Sequence, residues 1–363
     1  MVYRALGLMS GSSLDGLDIV CAEFNFNFGN WQFEILASSC YSYSKEWKEK
    51  LQNSIELSAK DYLLLHSEYG HYLGKEVNRF IEENKLDYKV AIVSSHGHTT
   101  FHVPQLKMTA QLGNGASIAA ETGLPVVTDL RSIDVAFGGE GAPIVPIGEK
   151  LLLKDYSIFL NLGGIANLSI QLPDEFIAFD VCPANRVLNM ISNTAGKEFD
   201  ENGTMASLGT VNNKLLESLN KQDYYSKPYP KSLANDFGVS TLYPIIETSK
   251  ISVNDALRTY AQHIVFQIKK GLLPLKASIT QKKMLVTGGG AFNSFLIELL
   301  RKELEDIQVE VIVPDATIVN YKEALIMAFI GVLRWRQENN VLSSVTGASR
   351  DSIGGALWTG QEA

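Results

Sequence analysis

Three glycine-rich runs carry the residue types that anion and nucleotide chemistry needs. The first is Met9-Ser-Gly-Ser-Ser-Leu-Asp-Gly-Leu-Asp18, the second Asn161-Leu-Gly-Gly-Ile-Ala-Asn-Leu-Ser169, half a chain further on. Glycine tolerates positive φ and has no Cβ, so backbone N–H groups and hydroxyls in such turns can approach an anionic oxygen closely. Each run is entered and left by a strand-like apolar stretch. Together they read as two clamps on one phosphate chain, the first offering Gly11, Ser12, Ser13, Leu14, Asp15, Gly16, Leu17 and Asp18, the second Asn161, Gly163 and Gly164. Read alone, the first run is equally a hairpin turn. Its carboxylates nevertheless suit a Mg²⁺ ion held directly or through water, with Asp15 the candidate ligand.

The third run, Val286-Thr-Gly-Gly-Gly-Ala-Phe-Asn293, offers Gly288, Gly289, Gly290 and Asn293 at the opening of a helix. It reads either as a simple strand-to-helix connection or as a backbone platform for the sugar and base of a nucleotide. The spacing is not the dinucleotide fingerprint, and no acidic ribose partner follows, so hydride transfer loses support. Asp180 is the candidate for chemistry. It ends an apolar strand, Phe176–Phe179, directly after the second turn, and Pro183 reads as the first residue of the next helix. For an isolated Asp the ordinary reading is stabilisation of a helix N-terminus. Its place beside the second turn favours a catalytic carboxylate.

The elements that must hold these groups follow from the apolar pattern. Tyr3–Met9, Leu17–Phe26 and Trp31–Cys40 read as a β-meander, followed by helices over 45–55 and 59–83 and a strand Val90–Ser94. That strand runs into Ser95-His-Gly-His-Thr-Thr-Phe-His102, so a polar cluster stands at its carboxyl end. A small-residue helix Ala116–Glu121 and a strand Pro125–Thr128 lead to Asp129-Leu-Arg131. The second half repeats the plan: a helix near 144–153, strands Ser157–Leu160, Ile165–Leu172 and Phe176–Asp180, and helices near 184–195, 211–220 and 253–271. A strand Met284–Thr287, a helix from Ala291 to about Leu304, a strand Val309–Val313 and a helix 322–337 complete it. Strands capped by helices indicate two α/β domains with mixed sheets, and ligands gather beyond the strands' carboxyl ends.

Composition narrows the partners. The chain has 363 residues, 45% hydrophobic and 20% charged, which is enough for two ordinary cores. A net charge of −8 without a basic run argues against nucleic acid or an anionic membrane as the main partner. Cys21, Cys40 and Cys182 are odd in number and unpaired in spacing, as in a reduced cytosolic protein. The longest apolar stretch, Ala324–Leu333, is about half of a membrane span. The expected location is the cytoplasm.

These residues closely resemble the anhydro-N-acetylmuramic acid kinases, members of the actin and sugar-kinase superfamily. The resemblance spans nearly the whole chain: Gly7 to Asp18, Ser95-His-Gly-His-Thr99, Gly138-Gly-Glu-Gly-Ala-Pro143, Asn161 to Ser169, Pro230-Lys-Ser232, Gly288-Gly-Gly-Ala-Phe-Asn293, Glu323-Ala324 and Val345-Thr-Gly-Ala348. It implies a two-domain actin-like, ribonuclease H-like fold with five-stranded mixed sheets flanked by helices and an interdomain active-site cleft. The expected domains are 1–128 with 339–363, and 129–338. It implies ATP-dependent opening of the 1,6-anhydro bridge by water with phosphorylation at O6, giving N-acetylmuramic acid 6-phosphate. Gly11–Asp18 matches the family's ATP-binding segment and Asp180 its catalytic aspartate, which would activate the water. The partners implied are the amino sugar, ATP with Mg²⁺ and a second copy in a homodimer.

Rim position and family pattern together point to His96, Thr99, Arg131 and Glu323 as sugar contacts. Arg131 would hold the lactyl carboxylate bidentately or pair with Asp129 or Asp134. Where the family has Asp-Thr-Gly-Pro-Gly-Asn, this chain has Asp180-Val-Cys-Pro-Ala-Asn185, with Cys182 and Ala184 in place of glycines. His98 stands where Gln is common, and Leu233-Ala-Asn-Asp236 replaces Thr-Gly-Arg-Glu. Two rival readings remain at this point. One is an actin-like or chaperone-like nucleotide-dependent binding module without sugar turnover; the other is a zinc hydrolase using His96 and His98.

Overall fold

The first three strands form because alternate residues face a core while Ser/Gly/Asp and Gly29-Asn30 turns reverse the chain. In the computed structural model, which describes residues 1–11, 14–229, 231–234 and 236–360, they are β1 (Val2–Ser10), β2 (Gly16–Asn27) and β3 (Asn30–Ser42), antiparallel in sequence. Helix α1 (Lys45–Gln52) begins at Ser44, whose Oγ accepts from the N–H of Trp47. Helix α2 (Ala59–Glu83) is capped in the same way by Ser58. It buries Leu65, Tyr69, Leu73, Val77 and Phe80 on one stripe, each worth about 1.5–3 kcal/mol of transfer free energy. Then come β4 (Ile92–Ser95), β5 (His98–Val103), β6 (Met108–Leu112), α3 (Gly115–Thr122), β7 (Val126–Thr128), α4 (Ser132–Ala136) and α5 (Pro146–Leu152).

The second half comprises β8 (Ile158–Leu162), β9 (Ile165–Gln171), β10 (Phe176–Pro183), α6 (Asn185–Asn193), α7 (Thr204–Leu208), α8 (Asn213–Asn220), α9 (Tyr243–Thr248), α10 (Val253–Leu272), β11 (Lys283–Thr287), α11 (Ser294–Leu304) and β12 (Glu310–Ile312). The chain closes with α12 (Ala316–Trp335), α13 (Ser343–Thr346) and β13 (Ala356–Trp358).

Two compact units result: Met1–Leu153 with Tyr321–Ala363, and Lys154–Asn320. The segments 129–153 and 321–338, assigned by sequence to the second domain, belong to the first unit. Long-range contacts are the reason. Lys322 pairs with Glu149, and Thr346 donates to Asp134 Oδ1.

Both units share one plan, the α/β architecture with mixed sheets that the sequence led us to expect. In the first, the order is β13-β7-β4-β1-β2-β3, with β4 and β7 parallel to β1. In the second it is β10-β9-β8-β11-β12, with β11 and β12 parallel to β8 and the β8–β9–β10 meander antiparallel. The first sheet thus has six strands rather than five, because β13 pairs with β7. A separate two-stranded ribbon, β5 with β6, occupies the segment read as a polar strand end. Each unit has its own core, one around Leu6, Ile19, Tyr69 and Val93, the other around Ile158, Leu168, Tyr260 and Val286.

Helix α12 starts six residues before the expected position and is long and apolar enough to cross a membrane, but 67% of its most apolar window is buried inside the protein. It is a core helix. A Cβ on Gly7 of β1 would lie 1.9 Å from the carbonyl oxygen of Ala324 and 2.5 Å from the nitrogen of Ala328. That close approach fixes the first turn of α12 that follows Tyr321, and with it Glu323.

Candidate active site

Parallel neighbours place functional residues on one rim of each sheet, because their carboxyl ends point the same way. In the second unit, Asn161 at the end of β8 sits beside Thr287 at the end of β11. The turn Gly163-Gly164 and the run Gly288–Gly290 are therefore neighbours. Asn185 ties them together: its Nδ2 donates to Leu162 O at 2.8 Å, its N–H donates to Gly163 O, and the N–H of Ala184 donates to Gly164 O.

The glycines divide into two kinds. Gly288 has φ +81°, and a Cβ there would lie 2.4 Å from Asn161 Oδ1 and 2.9 Å from the carbonyl of Leu162; at Gly290 it would lie 2.7 Å from Leu162 Cβ. The protein itself needs these two. Gly163, Gly164 and Gly289 are different, since the nearest atoms to an added Cβ are 3.5, 3.9 and 3.7 Å away. Their missing side chains leave space that the fold does not use. Asn293 is employed structurally: its Oδ1 caps α11 by accepting from Leu296 N–H at 3.0 Å, and a Cβ on the facing Gly203 would lie 2.4 Å from it. The helix accordingly starts at Ser294, after a 3₁₀ turn over Gly289–Phe292, rather than at Ala291.

Asp180 lies within β10, not at its end. The strand bulges between Asp180 and Cys182 and continues to Pro183 opposite Ile165, so Pro183 is a strand residue and α6 starts at Asn185. The bulge re-aims the carboxylate. Asp180 Oδ2 accepts from Leu233 N–H at 2.8 Å, the Asp180 N–H donates to Lys231 O, and Tyr224 OH donates to Asp180 O. Oδ1 has no hydrogen-bond partner among the described residues. Burial pushes the Asp180 carboxyl above the usual carboxylate range, opposed by the Leu233 bond. Such a partly desolvated carboxylate with one open oxygen is suited to accept a proton. The residues behind it, Tyr224, Lys231 and Leu233, were not singled out as site residues, although the Pro-Lys-Ser run was the available signal. The Lys231 ammonium lies 4.7 Å from the centre of the Tyr224 ring. Cys182 and Ala184 are fully buried in the core of this unit.

In the first unit, β1, β4 and β7 deliver Ser10, Ser95 and Thr128 to a common rim. Ser12 and Ser13 lie outside the described residues. Around them, Gly11 O accepts from Leu14 N–H at 3.3 Å, and Leu14 has φ +56°. Asp15 is exposed and Asp18 half-buried. Gly16 and Leu17 are structural, for they begin β2, and a Cβ on Gly16 would lie 2.7 Å from both Cys40 Sγ and Tyr41 O. Burial pushes Asp18 up to about 6, with Glu323 and Asp15 adding repulsion and a hydrogen bond with Cys40 opposing it. Glu323 is also raised, chiefly by burial, with Lys322 and Arg131 opposing. Carboxylates that destabilise one another fit a nearby divalent cation. Among the described residues no group of three or more His, Cys, Asp or Glu could hold a metal alone. Mg²⁺ bound through phosphates and one or two carboxylates needs no such cage.

His96 and Arg131 meet directly. Arg131 Nε and Nη2 reach His96 Nε2 at 3.0 and 2.7 Å, and Nη1 donates to Gly141 O. His96 Nε2 is thus an acceptor, and its proton sits on Nδ1, which donates to Gly97 O at 2.9 Å. Burial and the Arg131 charge push His96 down to about 3, so it is neutral. No carboxylate forms an ion pair with Arg131 among the described residues: Asp129 accepts from Ser132, and Asp134 from Gly141 N–H and Thr346. Both imidazole nitrogens of His96 are engaged, and His98 Nδ1 contacts Ser10 Oγ at 3.3 Å. That removes the zinc-hydrolase reading. Thr99 is exposed on β5 opposite Gln111, beside a bulge.

The sequence profile described as anhydro-N-acetylmuramic acid kinase matches residues 3–360. Curated relatives of that name include one from Haemophilus influenzae, 33% identical over 97% of each chain, and one from Clostridioides difficile, 32% identical over 97% of each. A solved structure, the (R)-2-hydroxyglutaryl-CoA dehydratase component A from Acidaminococcus fermentans, aligns with a TM-score of 0.46 at 13% identity, covering 91% of this chain and 97% of its own. The rim glycines and Asp180 therefore stand within a sequence match that runs almost from end to end, and the chain belongs to the anhydro-N-acetylmuramic acid kinase family.

Proposed function

We propose that this chain is an ATP-dependent kinase that opens the 1,6-anhydro bridge of anhydro-N-acetylmuramic acid with water and phosphorylates O6. Water attacks the anomeric carbon while its proton passes to Asp180. The bond from that carbon to the bridging oxygen breaks, and the freed O6 takes the γ-phosphoryl group, leaving ADP and N-acetylmuramic acid 6-phosphate. Phosphoryl transfer depends mainly on positioning and charge neutralisation, a task assigned here to the backbone of Gly11–Asp18, Gly163, Gly164 and Gly288–Gly290. Mg²⁺ would be held by ATP phosphates with help from Asp15. Thr99, Arg131 and Glu323 are assigned to the sugar, Arg131 through the N–H groups that His96 and Gly141 leave over, and His96 to the same site by orienting Arg131. A cytoplasmic homodimer is part of the same proposal.

The observation that carries this reading is Asp180, a carboxylate with raised proton affinity and one oxygen without a partner among the described residues, on the strand next to a glycine turn with unused room. The test is ADP release from ATP and Mg²⁺ with and without the anhydro-sugar. Sugar-dependent release with a 6-phosphorylated product supports the kinase. ATP turnover indifferent to the sugar would restore the binding-module reading.

A further inference from the structure

Helix α10 carries a buried polar cluster that the reaction proposed above does not use. His263 is fully buried between the rings of Tyr225 and Tyr260, whose centres lie 5.2 and 5.4 Å from its own. Gln267 Nε2, one turn further along the helix, donates to Asn220 Oδ1 at 2.7 Å. That bond makes Asn220 Oδ1 an acceptor, so His263 Nδ1, also 2.7 Å away, donates to it. The neutral ring then keeps an acceptor at Nε2, and Tyr225 OH donates to it at 3.0 Å. Burial pushes His263 down to about 3, which holds the ring in that neutral form. A chain of this kind tolerates no missing member, because each buried polar group depends on the next.

The chain of contacts leads to Asp180. Tyr225 stands in the 3₁₀ turn Asp223–Ser226 beside Tyr224, whose OH donates to Asp180 O at 2.8 Å. The two tyrosine rings meet edge to face at 5.8 Å, and Phe237 packs on both. Further along, Lys231 O accepts from the Asp180 N–H, and the Leu233 N–H donates to Asp180 Oδ2. Beyond the bulge, Tyr260 OH, one turn before His263 on α10, donates to Pro183 O at 2.9 Å. One helix thus holds both sides of the bulge, the far strand end through Tyr260 and the Tyr224–Leu233 side through His263. Ladder bonds are interrupted at a bulge, so the direction of the carboxylate depends on contacts from outside the sheet.

We propose that His263 is a positioning residue: through Tyr225 it fixes the Tyr224–Leu233 side of the site, and through that side the orientation of the Asp180 carboxylate. This rests on the reading of Asp180 as the base and adds the support that aims it.

The experiment measures ADP-release kinetics with ATP, Mg²⁺ and anhydro-N-acetylmuramic acid for wild type, Tyr225→Phe, His263→Leu and His263→Gln, each also in the Asp180→Asn background, together with thermal unfolding. Tyr225→Phe and His263→Leu lower kcat by roughly 10–100-fold, the cost of a reacting group displaced by about 1 Å, while KM for both substrates stays within about twofold. His263→Gln, whose Oε1 can accept from Tyr225, recovers kcat to within about threefold of wild type. In the Asp180→Asn background the same substitutions change kcat by less than about twofold, because the group they orient is gone. A merely structural role would lower it again by the full factor. Tyr225→Phe removes one hydroxyl and carries the test alone if His263→Leu fails to fold. Wild-type kcat in Tyr225→Phe, or equal losses with and without the Asp180 carboxylate, overturn the positioning role. Wild-type kcat in Asp180→Asn itself would instead overturn the reading of Asp180 as the base.

Discussion

Replacing rim glycines one at a time by alanine separates glycines needed by the fold from those needed by a ligand. At Gly288 the added methyl must occupy a left-handed backbone, φ +81°, and approach Asn161 Oδ1 to 2.4 Å and the Leu162 backbone to 2.9 Å. The left-handed conformation alone costs about 1–2 kcal/mol, and the backbone contact cannot be relieved by a rotamer change. Gly288→Ala should therefore lower stability by at least that amount, or roughly 2–4 °C in Tm per kcal/mol. At Gly163 the φ is not left-handed, and the nearest atoms are Ile165 O at 3.5 Å and Asn161 Nδ2 at 3.9 Å. Gly163→Ala should leave stability unchanged or raise it by about 0.4–1 kcal/mol through the unfolded chain.

If a phosphate oxygen uses that space, the same methyl displaces it from the backbone donors. Loss of one hydrogen bond to a charged group, about 1.5–3 kcal/mol, corresponds to a rise in KM for ATP of roughly 10–100-fold. Urea denaturation and initial rates of ADP release at saturating sugar measure the two quantities separately. The reasoning is refuted if Gly163→Ala unfolds as readily as Gly288→Ala, or if it keeps the wild-type KM for ATP.

Two further tests address what holds the first unit together. Lys322 and Glu149 form a 2.6 Å ion pair with side chains only 4% and 2% exposed, so Lys322→Met strands a buried carboxylate and should cost about 3–5 kcal/mol, largely recovered in the Lys322→Met/Glu149→Leu double variant; equal losses in the single and double variants would contradict this. Burial, with the Arg131 charge beside it, pushes His96 down from its ordinary 6.5 to about 3 in the folded protein, so the unfolded chain takes up the proton first. Its contribution is fully present above pH 6.5 and is lost as pH falls from there towards 3, at up to ~1.4 kcal/mol per pH unit. His96→Asn should flatten the fall in urea midpoint between pH 6.5 and 4.5, and an unchanged slope would sink the assignment.

Much of this organisation was legible because its signals are local. The three opening strands, the stripe of α2 and the serine caps all lie within windows of a few residues, where period and capping chemistry suffice. The features that escaped depend on distant partners. Strand β13 has only three residues and exists because β7 offers an edge, and 129–153 join the first unit through Lys322 and Thr346. The β5–β6 ribbon was hidden by histidines and threonines that looked like a site rather than a strand. Pro183 suggested a helix start, yet pairing with Ile165 extended the strand past the bulge. For the candidate site, Asp180 and the glycine runs could be picked out in the sequence as candidates because their residue types and spacing are local. The His96–Arg131 bond could not, since the two are 35 residues apart, and neither could the role of Asn293, whose side chain serves its own helix.

The most direct test of the account runs the reaction in ¹⁸O-labelled water with ATP, Mg²⁺ and the anhydro-sugar, using wild type and Asp180→Asn. Asparagine still offers an oxygen to Leu233 N–H, so the fold should survive, while loss of the base should lower kcat by about 10²–10⁴-fold. Mass spectrometry should find one labelled oxygen at the anomeric carbon of the wild-type 6-phosphate. Phosphorylated product without label, or an Asp180→Asn variant that turns over at the wild-type rate, would contradict the claim that Asp180 activates water.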